Sequence, residues 1–339
     1  MIRIILHFFT FFFTLDYMKK KIWKNRKKVI GIIIVFILGA VCIWLLVFLF
    51  FHDAPAASIT SIGYSDYLGT WEDHRVITHA LGGVEGKTYT NSIDALQKNY
   101  AEGKRIFEAD FNLTRDGKVI LTHDFQETEN NLIDFEEGYI PTYEEFMSNR
   151  IDYKFHPTDG MMLLTFMKEH PDMYLVSDIK YNEEQPMVMV LSKIVEEAKA
   201  MDAMEVLDRF IVQFYYEENY EECKNIYPFR HYIYSLYAEK KKTPEDFMAA
   251  ALFCKEHDVD AVLIKSSWVK EDTTLQPFHD QGIKVYVYTL NTIRIINEKK
   301  DLGVYGIVSD YANENDLFLR ERAIVEKKLT FPIDLVPQK

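Results

Sequence analysis

Between Arg75 and Asp310 the chain alternates eight short runs rich in β-branched and aromatic residues with stretches of helical patterning. The runs are RVITHA (75–80), RIFEADF (105–111), MYLVSDI (173–179), RFIVQFY (209–215), HYIYSLY (231–237), DAVLIK (260–265), KVYVYTL (284–290) and YGIVSD (305–310). Between them lie SIDALQKNYAEG, EEQPMVMVLSKIVEEAKAM and PEDFMAAALFCKEH, which pattern as helices. Eight strands with intervening helices predict an α/β fold, a (β/α)8 TIM barrel. Such a barrel typically takes about 250 residues. One barrel therefore uses nearly all of the 339-residue chain beyond its N-terminal region.

Two stretches fall outside the simple count. Thr114-Arg115-Asp116-Gly117 is a turn signal, and VILTHD follows it. The second strand is therefore expected to fold back as a hairpin with an accessory strand. The stretch from Phe125 to Asp172 holds no strong strand pattern and reads as a loop-and-helix excursion. In a barrel, long loops of that kind belong to the catalytic face.

Ahead of the barrel, Val29 to Phe51 forms an uncharged run of 23 residues. As a helix it is about 34 Å long, enough to cross a hydrocarbon core of roughly 30 Å. Soluble core helices are rarely apolar on every face for so long, and the apolar part of a cleaved signal peptide is typically about 7–15 residues. KKKIWKNRKK, from Lys19 to Lys28, precedes the run, and positive residues flanking a first helix stay in the cytoplasm. The expectation is a single-pass protein of the cell membrane, its N-terminus inside and its barrel outside. The expected organisation is a basic cytoplasmic N-terminus (1–28), a transmembrane helix (29–51), a linker (52–71), the barrel (72–325) and an extended tail (326–339). Met18 opens the pattern MKKK, which has the look of a start, so residues 1–17 read as an upstream extension.

Charge narrows the choice of partner. Residues 1–28 hold eight of the 39 lysines and arginines and one of the 52 acids, leaving 31 basic and 51 acidic side chains beyond, a net of −20. A domain that acidic lacks the electrostatic footprint for nucleic acid. A phosphate-bearing substrate has to be drawn in locally, most simply by a bound divalent cation. The three cysteines, Cys42, Cys223 and Cys254, have no metal-site spacing and read as incidental.

The densest group of chemically capable residues runs from His79 to Asp124. His79 ends the first strand, and Gly82 and Gly83 after it leave room for a ligand against the backbone. Glu108 and Asp110 are two apart on the second strand, so both carboxylates point to one face. His123 and Asp124 end the accessory strand, and Asp178 and Lys180 repeat the two-residue spacing at the end of the third. Strand-end carboxylates on one barrel mouth suit a hard divalent ion, Ca²⁺ or Mg²⁺. Two histidines beside such an ion can move protons near neutral pH. A phosphodiester needs both services, charge compensation on its oxygens and proton transfer at the nucleophile and leaving alkoxide. Taken singly, a Glu-x-Asp pair is more often a solvated face and a strand-end histidine more often structural; the joint order carries the weight.

That order resembles the glycerophosphodiester phosphodiesterase family, through THALGG (78–83), TNSIDAL (90–96), EADFNLTRDGKVILTHD (108–124), IPTYEEF (140–146), SDIK (177–180), VYVYTLN (285–291) and GVYGIVSD (303–310). The resemblance covers roughly residues 74–320. It implies a barrel, a divalent metal held by Glu108, Asp110 and Asp178, and His79 and His123 as the acid–base pair. In the family mechanism a neighbouring hydroxyl of the alcohol attacks phosphorus, and the cyclic phosphate is then hydrolysed. The chain departs from the family pattern at four places. Ala80 stands where the family has a phosphate-contacting arginine, and Thr90 where it has a glutamate. Asp178 is one methylene shorter than the family's third acid, and Tyr288 replaces a tryptophan as an aromatic wall. Lys180 is left to supply a point charge to phosphate and Asn91 a hydrogen bond.

The resemblance implies metal-dependent hydrolysis of a phosphodiester by two-histidine acid–base catalysis, and the basic flank of the apolar run places that activity outside the membrane. The substrate would be a glycerophosphodiester, a lipid headgroup or a glycerol-phosphate polymer. Ala80 and Thr90 motivate a rival from another class, an inactive barrel that binds phosphodiesters without turning them over. A third reading is a metal-independent phosphoinositide-cleaving lipase, which places an arginine where a metal would sit; no suitable arginine stands out.

Overall fold

The computed structural model describes residues 70–125, 135–136, 138–180, 186–238 and 243–317. The expected cytoplasmic segment (1–28), transmembrane helix (29–51), nearly all of the linker and the tail (326–339) lie outside the described residues. Among those described, no helix is long and apolar enough to cross a membrane.

Eight parallel strands close on themselves: β1 (Val76–Thr78), β2 (Ile106–Leu113), β4 (Tyr174–Asp178), β5 (Phe210–Phe214), β6 (His231–Ser235), β7 (Ala261–Lys265), β8 (Lys284–Tyr288) and β9 (Gly306–Ser309). Each pairs with its neighbour in chain order, and β1 pairs with both β9 and β2, which makes the sheet a barrel. The accessory strand β3 (Val119–Leu121) runs antiparallel to the upper part of β2. Its turn is the expected one: Gly117 sits at φ 74° and its N–H donates to the Thr114 carbonyl at 2.8 Å. Helices α1 (Ile93–Ala101), α2 (Tyr143–Ser148), α3 (Gly160–Glu169), α4 (Met187–Ala200), α5 (Glu217–Ile226), α6 (Pro244–Glu256), α7 (Gln276–Gln281) and α8 (Ile293–Asp301) make the crossovers. Ser92, Asp159 and Thr243 cap α1, α3 and α6 by accepting backbone N–H bonds, a device that satisfies the free donors of a helix start.

Side-chain parity divides the strands into two faces. On β2, Phe107, Ala109 and Phe111 point out to the apolar layer beneath the helices, while Ile106, Glu108 and Asp110 point into the barrel. The same alternation sends Ile77, Val176, Ile211, Ile233, Ala261, Leu263, Tyr286 and Val308 inward to form the lower barrel core. That core is apolar. Continuing each strand by one inward position reaches His79, Asp178, Gln213, Ser235, Lys265 and Tyr288, so the polar chemistry forms the topmost layer, at the strands' C-terminal ends.

The opposite end is plugged by Trp71, which is fully buried and packs on Tyr286 and His231. Tyr286 donates its hydroxyl to the His74 carbonyl at 2.6 Å. Glu314, beyond β9, accepts the backbone N–H groups of Arg75 and Val76, each at 2.9 Å, and so ties down the start of β1.

Candidate active site

Glu108, Asp110 and Asp178 lie side by side because β2 and β4 pair in parallel with Glu108 opposite Val176 and Asp110 opposite Asp178. Oxygens of the three carboxylates lie within 4.8 Å of one another, and all three residues are buried. Burial and the neighbouring Asp110 push the Glu108 carboxyl up to about 8. For Asp110 burial also acts upward, but Lys180, His123, His79 and the Asn91 hydrogen bond outweigh it and hold the group below its ordinary value. Three carboxylates forced together out of water repel one another strongly.

Each acid has its own support. Glu108 Oε2 accepts the Ala80 N–H at 2.7 Å, while Oε1 is buried with no hydrogen-bond partner. Asp178 Oδ1 accepts from the Tyr215 hydroxyl at 2.5 Å, and its Oδ2 contacts the Lys180 ammonium, which also lies 3.6 Å from Asp110. An all-oxygen donor set with a buried, unpartnered lone pair fits a hard divalent ion. A second group, Glu72, His231 and Asp260, sits at the strands' N-terminal ends and is partly exposed, on the face of the barrel opposite His79 and His123.

The two histidines reach the mouth by different routes. His79 follows β1 directly, and its Nδ1 lies 2.8 Å from Asp310 Oδ1 beyond β9. Burial works to lower the His79 pKa, but the Asp310 hydrogen bond and the charges of Glu108, Asp310 and Asp110 raise it to about 9. His123 arrives on the return leg of the hairpin. There Thr122 donates its N–H to the Asp110 carbonyl at 3.0 Å, and His123 Nδ1 lies 3.1 Å from Asp124. His79, His123, Glu108, Asp178, Lys180 and Tyr288 all line one cavity of about 610 Å³.

Asn91 is placed otherwise. It is fully buried, and its amide exchanges two hydrogen bonds with Asp110, donating to Oδ2 at 2.9 Å and accepting from the backbone N–H at 3.1 Å. Its work is to fix Asp110. Gly82 and Gly83 also differ from the expectation of a ligand against the backbone. A β-carbon on Gly82 would run into Asn99 and one on Gly83 into Tyr311, so both glycines serve close packing of the chain on itself. Gly82 additionally requires φ 94°, which a side chain resists. Ala80 is fully buried, and its contribution is the backbone N–H given to Glu108.

Sequence reasoning missed Asp310 as the partner of His79, and Tyr89, Gln213, Tyr215, Ser235, Tyr237 and Lys265 as cavity lining. Inward parity on β5, β6 and β7 carries a signal for five of these residues; Tyr89, in a loop, has none.

A family model described as the glycerophosphoryl diester phosphodiesterase family matches residues 83–314. Several solved structures share the fold. A glycerophosphodiester phosphodiesterase from Parabacteroides distasonis is 18% identical, over 74% of this chain and 98% of that one, with a TM-score of 0.58. An Oleispira antarctica phosphodiesterase in complex with the product sn-glycerol-3-phosphate is 18% identical, over 74% and 97%, with a TM-score of 0.58. A glycerophosphodiester phosphodiesterase from Thermotoga maritima is 20% identical, over 73% and 97%, with a TM-score of 0.51. No curated protein sequence matches the chain. The family model spans more than two thirds of the chain, and Glu108, Asp110, His123 and Asp178 all lie within the matched span: the chain belongs to the glycerophosphoryl diester phosphodiesterase family.

Proposed function

We propose that the protein hydrolyses a glycerophosphodiester or a related phosphodiester of a lipid headgroup or glycerol-phosphate polymer, outside the membrane to which Val29–Phe51 anchors it. The observation that carries this reading is the convergence of His79, His123, Glu108, Asp178 and Lys180 on one cavity, with Asp110 beside them. Glu108, Asp110 and Asp178 would hold a divalent cation, Ca²⁺ or Mg²⁺, which when bound offsets charge on the phosphoryl oxygens. The remaining work falls to the chain's own groups. His79 commits Nδ1 to Asp310, which leaves Nε2 as the atom that exchanges a proton with substrate. His123, fixed through Nδ1 by Asp124, exchanges the second proton in the same way. One takes the proton of the attacking oxygen and the other protonates the leaving alkoxide. Lys180 places a positive charge at the cavity wall for the phosphate, and Tyr288 walls the cavity beside Tyr237.

An inactive binding barrel would have no need to keep two histidines and three acids around one cavity. The metal-independent reading has one observation in its favour, the Lys180 ammonium between Asp178 and Asp110. Product release from glycerophosphodiesters and bis(p-nitrophenyl) phosphate, with and without chelator, decides among the three. Turnover abolished by chelator and restored by the ion supports the proposal. Turnover indifferent to chelator favours the lysine-based site, and binding without turnover favours the inactive barrel.

A further inference from the structure

Tyr89 stands between the two histidines. Its ring meets the His79 imidazole edge-on, with centroids 4.4 Å apart and planes at 88°, and the His123 imidazole at 5.6 Å and 86°. Edge-to-face contacts of that kind are directional and hold ring orientation as well as distance. The two imidazoles come from different parts of the chain, one at the end of β1 and the other on the return leg of the hairpin. Asp310 and Asp124 each hold one ring nitrogen, and a single such contact fixes one atom of a ring rather than the ring's plane. Tyr89 packs on both.

The backbone gives up local comfort to put it there. Tyr89 sits at φ 58°, a left-handed conformation that most residues with a β-carbon resist, and Asn91, a residue type that tolerates it, follows at φ 46°. Such conformations persist where the surroundings over-determine them, and they cluster at functional sites. Here Asn91 is locked to Asp110 by two hydrogen bonds, and Thr90 contacts the Ser92 hydroxyl at 2.9 Å. The segment that carries Tyr89 is thereby bolted to the strand that carries the acids.

We propose that Tyr89 is a positioning residue whose ring sets the separation and mutual orientation of His79 and His123 across the cavity. The inference rests on the two-histidine reading above and adds to it the part that keeps the acid and the base in register. Burial and the nearby acids push the Tyr89 phenol up to about 12, so the ring stays neutral across the working pH range and phenylalanine reproduces its packing. Misplacing a catalytic group by about 1 Å costs on the order of 10²-fold in rate.

The test compares Tyr89→Phe, Tyr89→Leu, His79→Ala and His123→Ala in the full chain in detergent, on glycerophosphocholine and on bis(p-nitrophenyl) phosphate. Tyr89→Phe should stay within about twofold of wild type. Tyr89→Leu should lose roughly 10–100-fold in kcat with KM little changed. The loss should be larger on glycerophosphocholine, whose leaving alkoxide needs a well-placed acid. Tyr89→Asn, which tolerates the left-handed backbone, repeats the test should Tyr89→Leu not fold. NMR of the imidazole resonances should show both histidines shifted in the ring-deleted variants and unmoved in Tyr89→Phe. Wild-type kcat in both ring-deleted variants overturns the proposal. So does an equal loss in Tyr89→Phe, which would make the hydroxyl a substrate contact. If His79→Ala and His123→Ala are themselves fully active, the two-histidine reading falls and the spacer with it; if they are inactive while the ring is dispensable, the spacer alone falls.

Discussion

Asp310 and His79, 231 positions apart in the chain, meet at 2.8 Å where the last strand of the barrel closes on the first. The carboxylate offsets the burial that would otherwise lower the imidazole pKa. In the metal-free protein, Asp310→Asn should therefore bring the His79 pKa down from about 9, read from the pH titration of its imidazole by NMR. Because the folded value lies above the ordinary 6.5, His79 contributes stability that is present below pH 6.5 and lost as pH rises through about 9. Thermal melts of the metal-free protein should show that loss across the window, and Asp310→Asn should flatten it.

Histidine roles can be separated by the leaving group. Removing either His79 or His123 should lower kcat by a factor of about 10²–10⁴, the usual range for general acid–base catalysis. If His123 is the acid, His123→Ala should hurt least with bis(p-nitrophenyl) phosphate, because p-nitrophenolate needs little protonation. His79→Ala should then hurt that substrate more. The reverse ranking exchanges the two roles.

The carboxylate cluster predicts a metal. Glu108→Gln should weaken Ca²⁺ or Mg²⁺ binding, measured by calorimetry, by at least about tenfold and lower activity in parallel. Asn91→Ala leaves Asp110 ionised but unheld, and should weaken binding by a smaller factor.

Stability below the mouth has its own pH signature. Glu197 of α4 has its Oε2 buried with no hydrogen-bond partner, and burial together with Asp159 raises its pKa from 4.5 to about 7. The fold thus favours its protonated form, and stability falls as pH climbs from 4.5 through 7. Glu197→Gln should remove that fall and stabilise the protein at pH 8 by about 1 kcal/mol, a figure reduced for the solvent screening of a part-exposed group. Melts at pH 5 and pH 8 measure it; equal shifts at both would exclude the titration.

Orientation is testable on cells. If Lys19 to Lys28 are held inside, as the proposed topology requires, protease added to intact cells should digest residues 52–339. Protection until lysis would reverse the topology.

The barrel was legible because its evidence is periodic. Every one of the eight runs is a strand, and Thr114–Gly117 makes the hairpin that carries His123. Parity likewise brought Glu108 and Asp110 to one face, and the same counting, continued by twos from Ile211 and Ile233, reaches Gln213, Ser235 and Tyr237. Asn91 was read as facing substrate because nothing in a sequence reports that its amide lies against a carboxylate 19 positions on. Tyr89 was invisible for a different reason. A loop residue in a left-handed conformation obeys no period, and its two ring partners come from separate elements.

Glu314 holds the first strand of the barrel by two backbone N–H groups near the other end of the domain. Ribosomes deliver β1 first and Glu314 last. Until residue 314 has emerged, β1 lacks both its clasp and its β9 neighbour, and three residues of strand (Val76–Thr78) cannot keep an open edge ordered by themselves. Closure is thus an event that awaits nearly the whole translated domain, and a nascent chain stalled short of Glu314 presents an open sheet to whatever chaperone or protease meets it.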